Sequence, residues 1–151
     1  MKSESGRSLI EIVAVLAITG VMTASAIAIY NSIRHNQRNT IATAELREVA
    51  KNAKLLMELR GDYTGISVDY LVKAGALKTD KSPVGTDWSI DVDTDKTAFT
   101  IKLYGLARAT CDYFSVAVPT WATDVIVNGY RIDNAPRCFS GTDNEITFIV
   151  K

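Results

Sequence analysis

The chain begins with a long apolar block. From Leu9 to Tyr30 the only charged residue is Glu11, and about 20 apolar residues are enough to cross a hydrocarbon core of about 30 Å. The block therefore predicts a membrane-spanning helix. A cleaved secretory signal is the alternative, because a short basic start and an apolar core are common to both. The length of the run, the lack of an A-x-A site before a loop and the helical sequence after Tyr30 favour the membrane helix.

The helical pattern continues beyond the apolar block, because no Pro or Gly occurs between Tyr30 and Gly61. Apolar residues then recur at alternating spacings of four and three, which places them on one stripe of a helix: Ala42, Leu46, Val49, Ala53 and Leu56. Charges at helical spacing predict ion pairs along the same segment: Glu45, Arg47, Glu48 and Lys51. We therefore predict one helix from about Leu9 to Arg60, of which only the first half can lie in a bilayer.

Strand and turn signals dominate the rest of the chain. Two short helices are predicted, Val68 to Ala74 ended by Gly75, and Leu106 to Val118 ended by Pro119. Alternating apolar residues predict two hairpins and a last strand: Trp88 to Val92 with Ala98 to Tyr104, Asp124 to Val127 with Tyr130 to Asp133 around Asn128-Gly129, and the final "EITFIVK" with Ile146, Phe148 and Val150 on one face. The fold class is α+β, with a long N-terminal α-helix packed on a small antiparallel β-sheet.

Composition excludes several functions. The 151 residues include 17 Lys+Arg and 17 Asp+Glu, so the formal net charge is zero and no specific nucleic-acid partner is predicted. The single histidine, His35, has no visible catalytic partner. Without a zinc spacing, a Gly-rich phosphate loop or a G-x-S-x-G motif, we predict no enzyme, no metal and no cofactor.

Asp91, Asp93 and Asp95 resemble the opening of a calcium loop. The match then fails, because Lys96 stands where an EF-hand needs Gly and Lys102 where it needs a bidentate Glu. We predict a solvated hairpin turn instead.

Cys111 and Cys138 are the only cysteines. Outside the cytoplasm they would most simply form a disulfide, which closes a loop of about 28 residues and stabilises the fold by roughly 3.5 kcal/mol on the chain-entropy model. Two buried free thiols or a redox site are the alternatives, and the lack of a C-x-x-C spacing makes the redox site the weaker of these.

Two features of the apolar block concern assembly. Gly20, Ala24 and Ala28 recur every four residues and form a strip of small side chains on which another helix can approach closely, unless chance in an Ala-rich helix explains them. Glu11 needs a cation if the helices bundle out of lipid. Cleavage after Gly6 would supply one, since the new amino group of Arg7 would lie about 6 Å along the helix from Glu11.

These residues resemble the type IV pilins. Their precursors carry a short leader ending in Gly, a new N-terminal residue, and a Ser- or Thr-Leu-Ile-Glu stretch before an apolar helix, which correspond here to "MKSESG", Arg7 and Ser8-Leu9-Ile10-Glu11. The signature covers about the first thirty residues. "GDYTGIS", "LVKAGAL", the Cys pair and "NEITFIV" look like the type IVb, PilS-like major pilins, as does the absence of Pro at Ala28.

The resemblance implies three segments: a leader (1–6), a transmembrane and assembly helix (7–30) and a globular part (31–151). It implies cleavage between Gly6 and Arg7 by a prepilin peptidase, N-methylation of Arg7, and single-pass residence in the inner membrane. The pilus assembly machinery then builds an extracellular filament, a helical homopolymer in which Glu11 pairs with a neighbour's terminal amine. It also implies that the Cys111–Cys138 disulfide holds a surface-exposed C-terminal region.

The chain departs from the family at Arg7, where an apolar residue is usual, and in its short leader. A minor pilin or a type II secretion pseudopilin has the same architecture and is the nearest alternative. An uncleaved, membrane-anchored module that binds a ligand is the alternative from another class. The neutral charge balance favours no particular role of the filament, such as adhesion, conjugation or motility.

Overall fold

The computed structural model describes residues 4–151, with side chains from Ser8 onward. Three α-helices are present in this part of the chain: α1 (Glu4–Glu58), α2 (Val68–Lys73) and α3 (Arg108–Phe114). Its five strands are β1 (Trp88–Val92), β2 (Phe99–Leu106), β3 (Asp124–Val127), β4 (Tyr130–Arg131) and β5 (Asn144–Val150). The predicted α+β class is confirmed.

Helix α1 is the long helix predicted from the sequence, with slightly different ends. It begins at Glu4 rather than about Leu9 and ends at Glu58 rather than Arg60. The earlier start has a simple cause, because residues 4–8 contain no Pro and a single Gly in a helix costs only about 1 kcal/mol. At its end, Gly61 adopts a φ of 90° and donates to the carbonyl of Met57 at 3.1 Å.

The chain divides into two compact units, residues 1–38 and 39–151. In the first unit, every described side chain from Ser8 to Arg38 is exposed. The second unit, called the head below, contains the rest of α1 and all five strands.

The head is built on one antiparallel sheet with the strand order β1-β2-β5-β3-β4. β5 lies at its centre, where Phe148 is opposite Ile101 of β2 and Val125 of β3. The prediction that Ile146, Phe148 and Val150 share a buried face is confirmed, since all three are at most 2% exposed. The central position explains why this strand is apolar along its length.

The second half of α1 covers one face of the sheet. The predicted stripe is confirmed at Ala42, Leu46, Val49 and Ala53, which are buried in the same core as β5, while Leu56 is half-buried. Ala50 and Met57 are also buried. They widen the stripe to the arc that a helix needs when it lies on a sheet.

The predicted ion pairs at Glu45, Arg47, Glu48 and Lys51 are absent from the described residues, where the one ion pair within α1 joins Lys54 and Glu58 at 3.7 Å. The reason is rotational. Glu45 and Glu48 border a different groove from Arg47 and Lys51, so the two signs of charge lie on opposite flanks of the helix.

Helix α3 is shorter than predicted. Leu106 ends β2, where it pairs with Asn144 after a register shift at Gly105, whose φ is 65°. At the other end α3 stops at Ser115, because the β-branched Val116 and Val118 disfavour a helix and the residue before Pro119 avoids helical angles. Val116 is 81% exposed.

The two predicted hairpins are present. Lys96 donates its backbone N–H to Asp93 at 2.9 Å, which closes the β1–β2 turn. In the β3–β4 turn, Asn128 and Gly129 both have positive φ, as a two-residue type I′ turn requires. Tyr130–Arg131 pairs with β3, whereas the predicted continuation to Asp133 is wrong, because Ile132–Asn134 forms a 3-10 helix.

Cys111 and Cys138 form a disulfide bond, with 5.9 Å between their Cα atoms. Cys111 is fully buried on α3, and Cys138 lies on the loop before β5. The bond confirms the predicted pairing and excludes the free-thiol and redox alternatives in the oxidised chain.

Candidate functional site

The exposed apolar segment at the start of α1 is the first candidate site. Its most apolar 18-residue window has a mean hydropathy of 2.4, and none of this window is buried in the structure. The helix is therefore long and apolar enough to cross a membrane. A segment of this kind needs lipid or other helices around it, because so large an apolar surface is unfavourable in water.

The polar side chains inside this segment are satisfied by the helix itself. The hydroxyls of Thr19, Thr23 and Ser25 donate to the carbonyls four residues earlier, at 2.7, 2.7 and 2.9 Å. Because these bonds need no water, the three hydroxyls can enter lipid or a helix bundle at little cost.

Glu11 is different, because its carboxylate is exposed and no described residue pairs with it. A charged carboxylate within an apolar surroundings costs on the order of 3 kcal/mol even by lenient insertion scales, so it calls for a polar partner. That partner must come from another molecule or from residues 1–7, whose side chains the structure does not describe.

The strip at Gly20, Ala24 and Ala28 is exposed along its whole length. A Cβ atom added to Gly20 would meet no atom within 4 Å, so the absence of a side chain there has no reason within the chain. The strip is thus a surface on which a neighbouring helix can approach closely.

Glu11 and Gly20 face opposite directions. Nine residues separate them, and at 3.6 residues a turn this corresponds to about two and a half turns, or half a turn of rotation. A single neighbouring helix therefore cannot contact both features. If both are used, each helix has at least two neighbours, as in a bundle or a filament.

The head holds two grooves that the sequence did not indicate as sites. One, of about 270 Å³, lies between Glu45, Glu48 and Asn52 of α1 and Trp88 of β1. The other, of about 380 Å³, lies on the opposite flank of α1 and is bordered by Arg47, Lys51 and Lys54. The signal for these grooves was the separation of acidic from basic residues by one or two positions in residues 45–54.

A buried amide was also missed. Asn144 is fully buried at the start of β5 and donates through Nδ2 to the carbonyls of Leu106, Phe139 and Gly141 at 2.9, 3.1 and 3.3 Å. Its Oδ1 accepts from the Phe139 N–H. These bonds hold the loop that carries Cys138 against the end of the sheet.

The remaining candidates are brought into no site. Among the described residues no three His, Cys, Asp or Glu side chains are placed to hold a metal ion. Asp91, Asp93 and Asp95 lie around the β1–β2 turn, and His35 is exposed.

The cleavage junction lies at the edge of what the structure describes. The backbone of Gly6 and Arg7 is helical, within α1, and the side chain of Arg7 lies outside the described part, as do residues 1–3. Cleavage after Gly6 and methylation of Arg7 therefore stay predictions.

Neither the models of known protein families nor the curated proteins with which the chain was compared match it. What the chain does must then be inferred from its residues and their geometry.

Proposed function

We propose that this chain is a type IV pilin, a structural subunit of the type IVb kind that polymerises through the first half of α1. It is cleaved between Gly6 and Arg7 by a prepilin peptidase and held in the inner membrane by the apolar segment. It is then passed by the assembly machinery into an extracellular filament. No reaction is assigned to it, and its mechanism is assembly.

One observation carries the proposal: the apolar segment has a lone unpaired carboxylate on one side and a strip of small residues on the other. A simple anchor needs neither feature. A filament of helices uses both, because the strip allows close approach and the carboxylate accepts only a correctly offset cation.

In the filament Glu11 pairs with the amino group of Arg7 of a neighbouring subunit. That group exists only after cleavage, so assembly is coupled to processing. Removing one partner of a buried ion pair costs about 3–5 kcal/mol, since the other charge is then left uncompensated. Register is therefore sensitive to Glu11 even though its loss leaves the head unchanged.

The first experiment is mass spectrometry of the mature chain from cells that export it. The proposal expects a chain that starts at a methylated Arg7. An intact Met1 terminus would show an uncleaved anchor and overturn the proposal. Recovery of the chain as the main protein of sheared filaments separates a major pilin from a minor pilin or a pseudopilin.

The second experiment replaces the carboxylate. Glu11→Ala and Glu11→Gln should give a processed, membrane-held chain with few filaments, and Glu11→Asp should retain part of the yield. Glu45→Ala is the matched control, because Glu45 is an exposed glutamate on the same helix within the head. Normal filament yield from Glu11→Ala contradicts the role of this residue.

A further inference from the structure

The larger groove on the head is strongly basic. It has a volume of about 380 Å³ and is bordered by four cationic side chains: Arg47, Lys51, Lys54 and Lys151. Lys54 is engaged, since its Nζ donates to the backbone oxygen of Lys151 at 3.0 Å and lies 3.7 Å from Glu58. Within the described residues no ion pair involves the other three cations.

The opposite wall of this groove is formed by residues 120–123 and the end of β5. The ring of Trp121 packs on Phe148 with 4.9 Å between centroids, which makes the wall firm. Asp124, the next acidic residue along the chain, is paired with Arg131 at 3.2 Å. The groove therefore presents positive charge beside an aromatic surface. We call it the basic groove.

The β1–β2 hairpin carries the opposite charge at its tip. Asp91, Asp93 and Asp95 lie within five residues there, and no described residue forms an ion pair with them. Ser89 and Thr94 donate to the carboxylates of Asp91 and Asp93 at 2.7 and 2.8 Å, which fixes their directions. Lys96 adds one positive charge to the turn.

The same tip exposes an apolar side chain. Burial along β1 is lost at its last two residues, so that Asp91 and Val92 are both exposed although they point to opposite faces. Val92 is 37% exposed between the carboxylates. We call residues 91–95 the acidic tip.

The acidic tip and the basic groove lie on opposite sides of the head. β1 is the first strand in the sheet order and borders the groove on the Glu45 flank of α1. The basic groove borders the other flank, next to the chain that leads into β3. The two features therefore cannot meet within one copy, and a pairing between copies leaves one of each free at the ends.

We propose that the acidic tip of one copy docks into the basic groove of the next copy, so that heads contact one another side by side along the filament. This inference rests on the proposed function. The contact is heterologous, joining two different patches, and such contacts propagate into open assemblies when the rotation does not close. The occupant is a second copy because this chain itself carries the complementary charge and an exposed apolar residue at the same place.

The contact depends on salt. Exposed ion pairs are individually weak and are screened at high ionic strength, so a small set of them sets partner orientation more than total affinity. Val92 adds an apolar contact in reach of the Trp121 wall. We expect high salt to loosen contacts between heads, while the apolar helices continue to hold the filament.

A charge-swap series on the full chain tests this contact in cells that assemble the wild-type chain. The groove variant Arg47→Glu with Lys51→Glu, and the tip variant Asp91→Lys with Asp95→Lys, should each lower filament yield roughly tenfold. Combining all four substitutions should restore most of the yield. Arg137→Glu and Asp143→Lys are matched controls, because both residues are exposed and precede or begin the other end of β5.

Cross-linking gives an independent measurement. A carbodiimide joins a carboxylate directly to a lysine amine, so filaments grown from mixed isotope-labelled and unlabelled chains should yield Asp95–Lys51 or Asp91–Lys51 peptides that combine both labels. Cross-links of Lys51 only to a different protein would overturn the contact.

The outcomes separate the two proposals. Wild-type cells that make no filament containing this chain refute the pilin function itself. Wild-type filaments with undiminished yield from the groove and tip variants overturn the contact and leave the pilin function standing. Failure of the four-fold swap to recover, with all heads folded by tryptophan fluorescence, also overturns the contact.

Discussion

The side-chain amide of Asn128 donates a hydrogen bond to Oδ1 of the buried Asn144 at 3.1 Å. Asn128 also donates to the carbonyl of Arg137 at 3.0 Å and accepts from the Glu145 N–H at 2.9 Å. The two amides thus connect the β3–β4 turn, the Cys138 loop and the start of β5. This polar cluster holds an irregular loop in place where no strand covers it.

Asn144→Ala should destabilise the head by about 3 kcal/mol, because three carbonyls and an N–H lose a buried partner at once. The measurement is urea unfolding in mild detergent, followed by the fluorescence of Trp88 and Trp121. Asn134→Ala, at an exposed asparagine, is the control and should change the free energy of unfolding by less than about 0.5 kcal/mol. Equal effects of the two variants contradict the role given to Asn144.

The disulfide should contribute about 3.5 kcal/mol to head stability, since it closes a loop across a sequence separation of 27. Reduction of the wild-type chain and the double variant Cys111→Ala with Cys138→Ala should lower the urea midpoint by similar amounts. The double variant serves as the control for the reductant, which should leave its midpoint unchanged. A wild-type midpoint that does not respond to full reduction would argue against this contribution.

Leu46→Ala should cost about 3 kcal/mol, because Leu46 is fully buried between α1 and the sheet and its loss leaves a cavity. Leu55→Ala makes the same chemical change on the same helix, at a position that is 54% exposed. Its effect on the free energy of unfolding should stay within about 0.5 kcal/mol. The difference between the two variants measures burial rather than helix propensity.

Tyr63 gives the head a weakness at high pH. Burial raises the pKa of its hydroxyl above the ordinary value of 10, and the nearby charge of Glu58 adds to the shift. Since the folded state holds the proton more tightly, this stabilisation is complete below pH 10 and is lost as pH rises through the folded pKa. The measurement is the urea midpoint between pH 8 and 11.5.

Tyr63→Phe is the matched variant for this test. It keeps the ring contact with Phe99, whose centroid lies 5.1 Å away, and removes the ionisable hydroxyl. Its unfolding midpoint should fall less steeply above pH 10 than that of the wild type. Parallel pH profiles would show that other groups set the alkaline limit.

Gly20→Leu should leave head stability unchanged, because no atom of the chain lies within 4 Å of a Cβ at this position. If the small-residue strip is a helix contact, as the pilin proposal requires, filament yield should still fall sharply. Gly20→Ala should be tolerated, since alanine favours a helix by about 1 kcal/mol over glycine. Val21→Leu, at a residue 68% exposed, is the control, and a yield as low as that of Gly20→Leu would show that bulk anywhere is harmful.

The elements set by short-range pattern were predictable. The α1 stripe, the strand over Trp88–Val92 and the Asn128-Gly129 turn follow from periodicity or from the preferences of a few adjacent residues. Where prediction failed, a distant partner decided the structure. Leu106 matches a helix locally and joins β2 because Asn144 lies opposite it. Tyr130 to Asp133 alternates like a strand, and only Tyr130–Arg131 finds a partner.

The sequence by itself determined the apolar segment, the position of its lone carboxylate and the spacing of its small residues, since these depend only on composition and on the 3.6-residue period of a helix. The tertiary structure decided which sides of the head carry charge. Glu45, Glu48, Arg47 and Lys51 are neighbours along the chain, and the sequence predicts that they pair. They face apart because the sheet occupies one side of α1, and its two edges leave the acidic and basic residues over separate grooves.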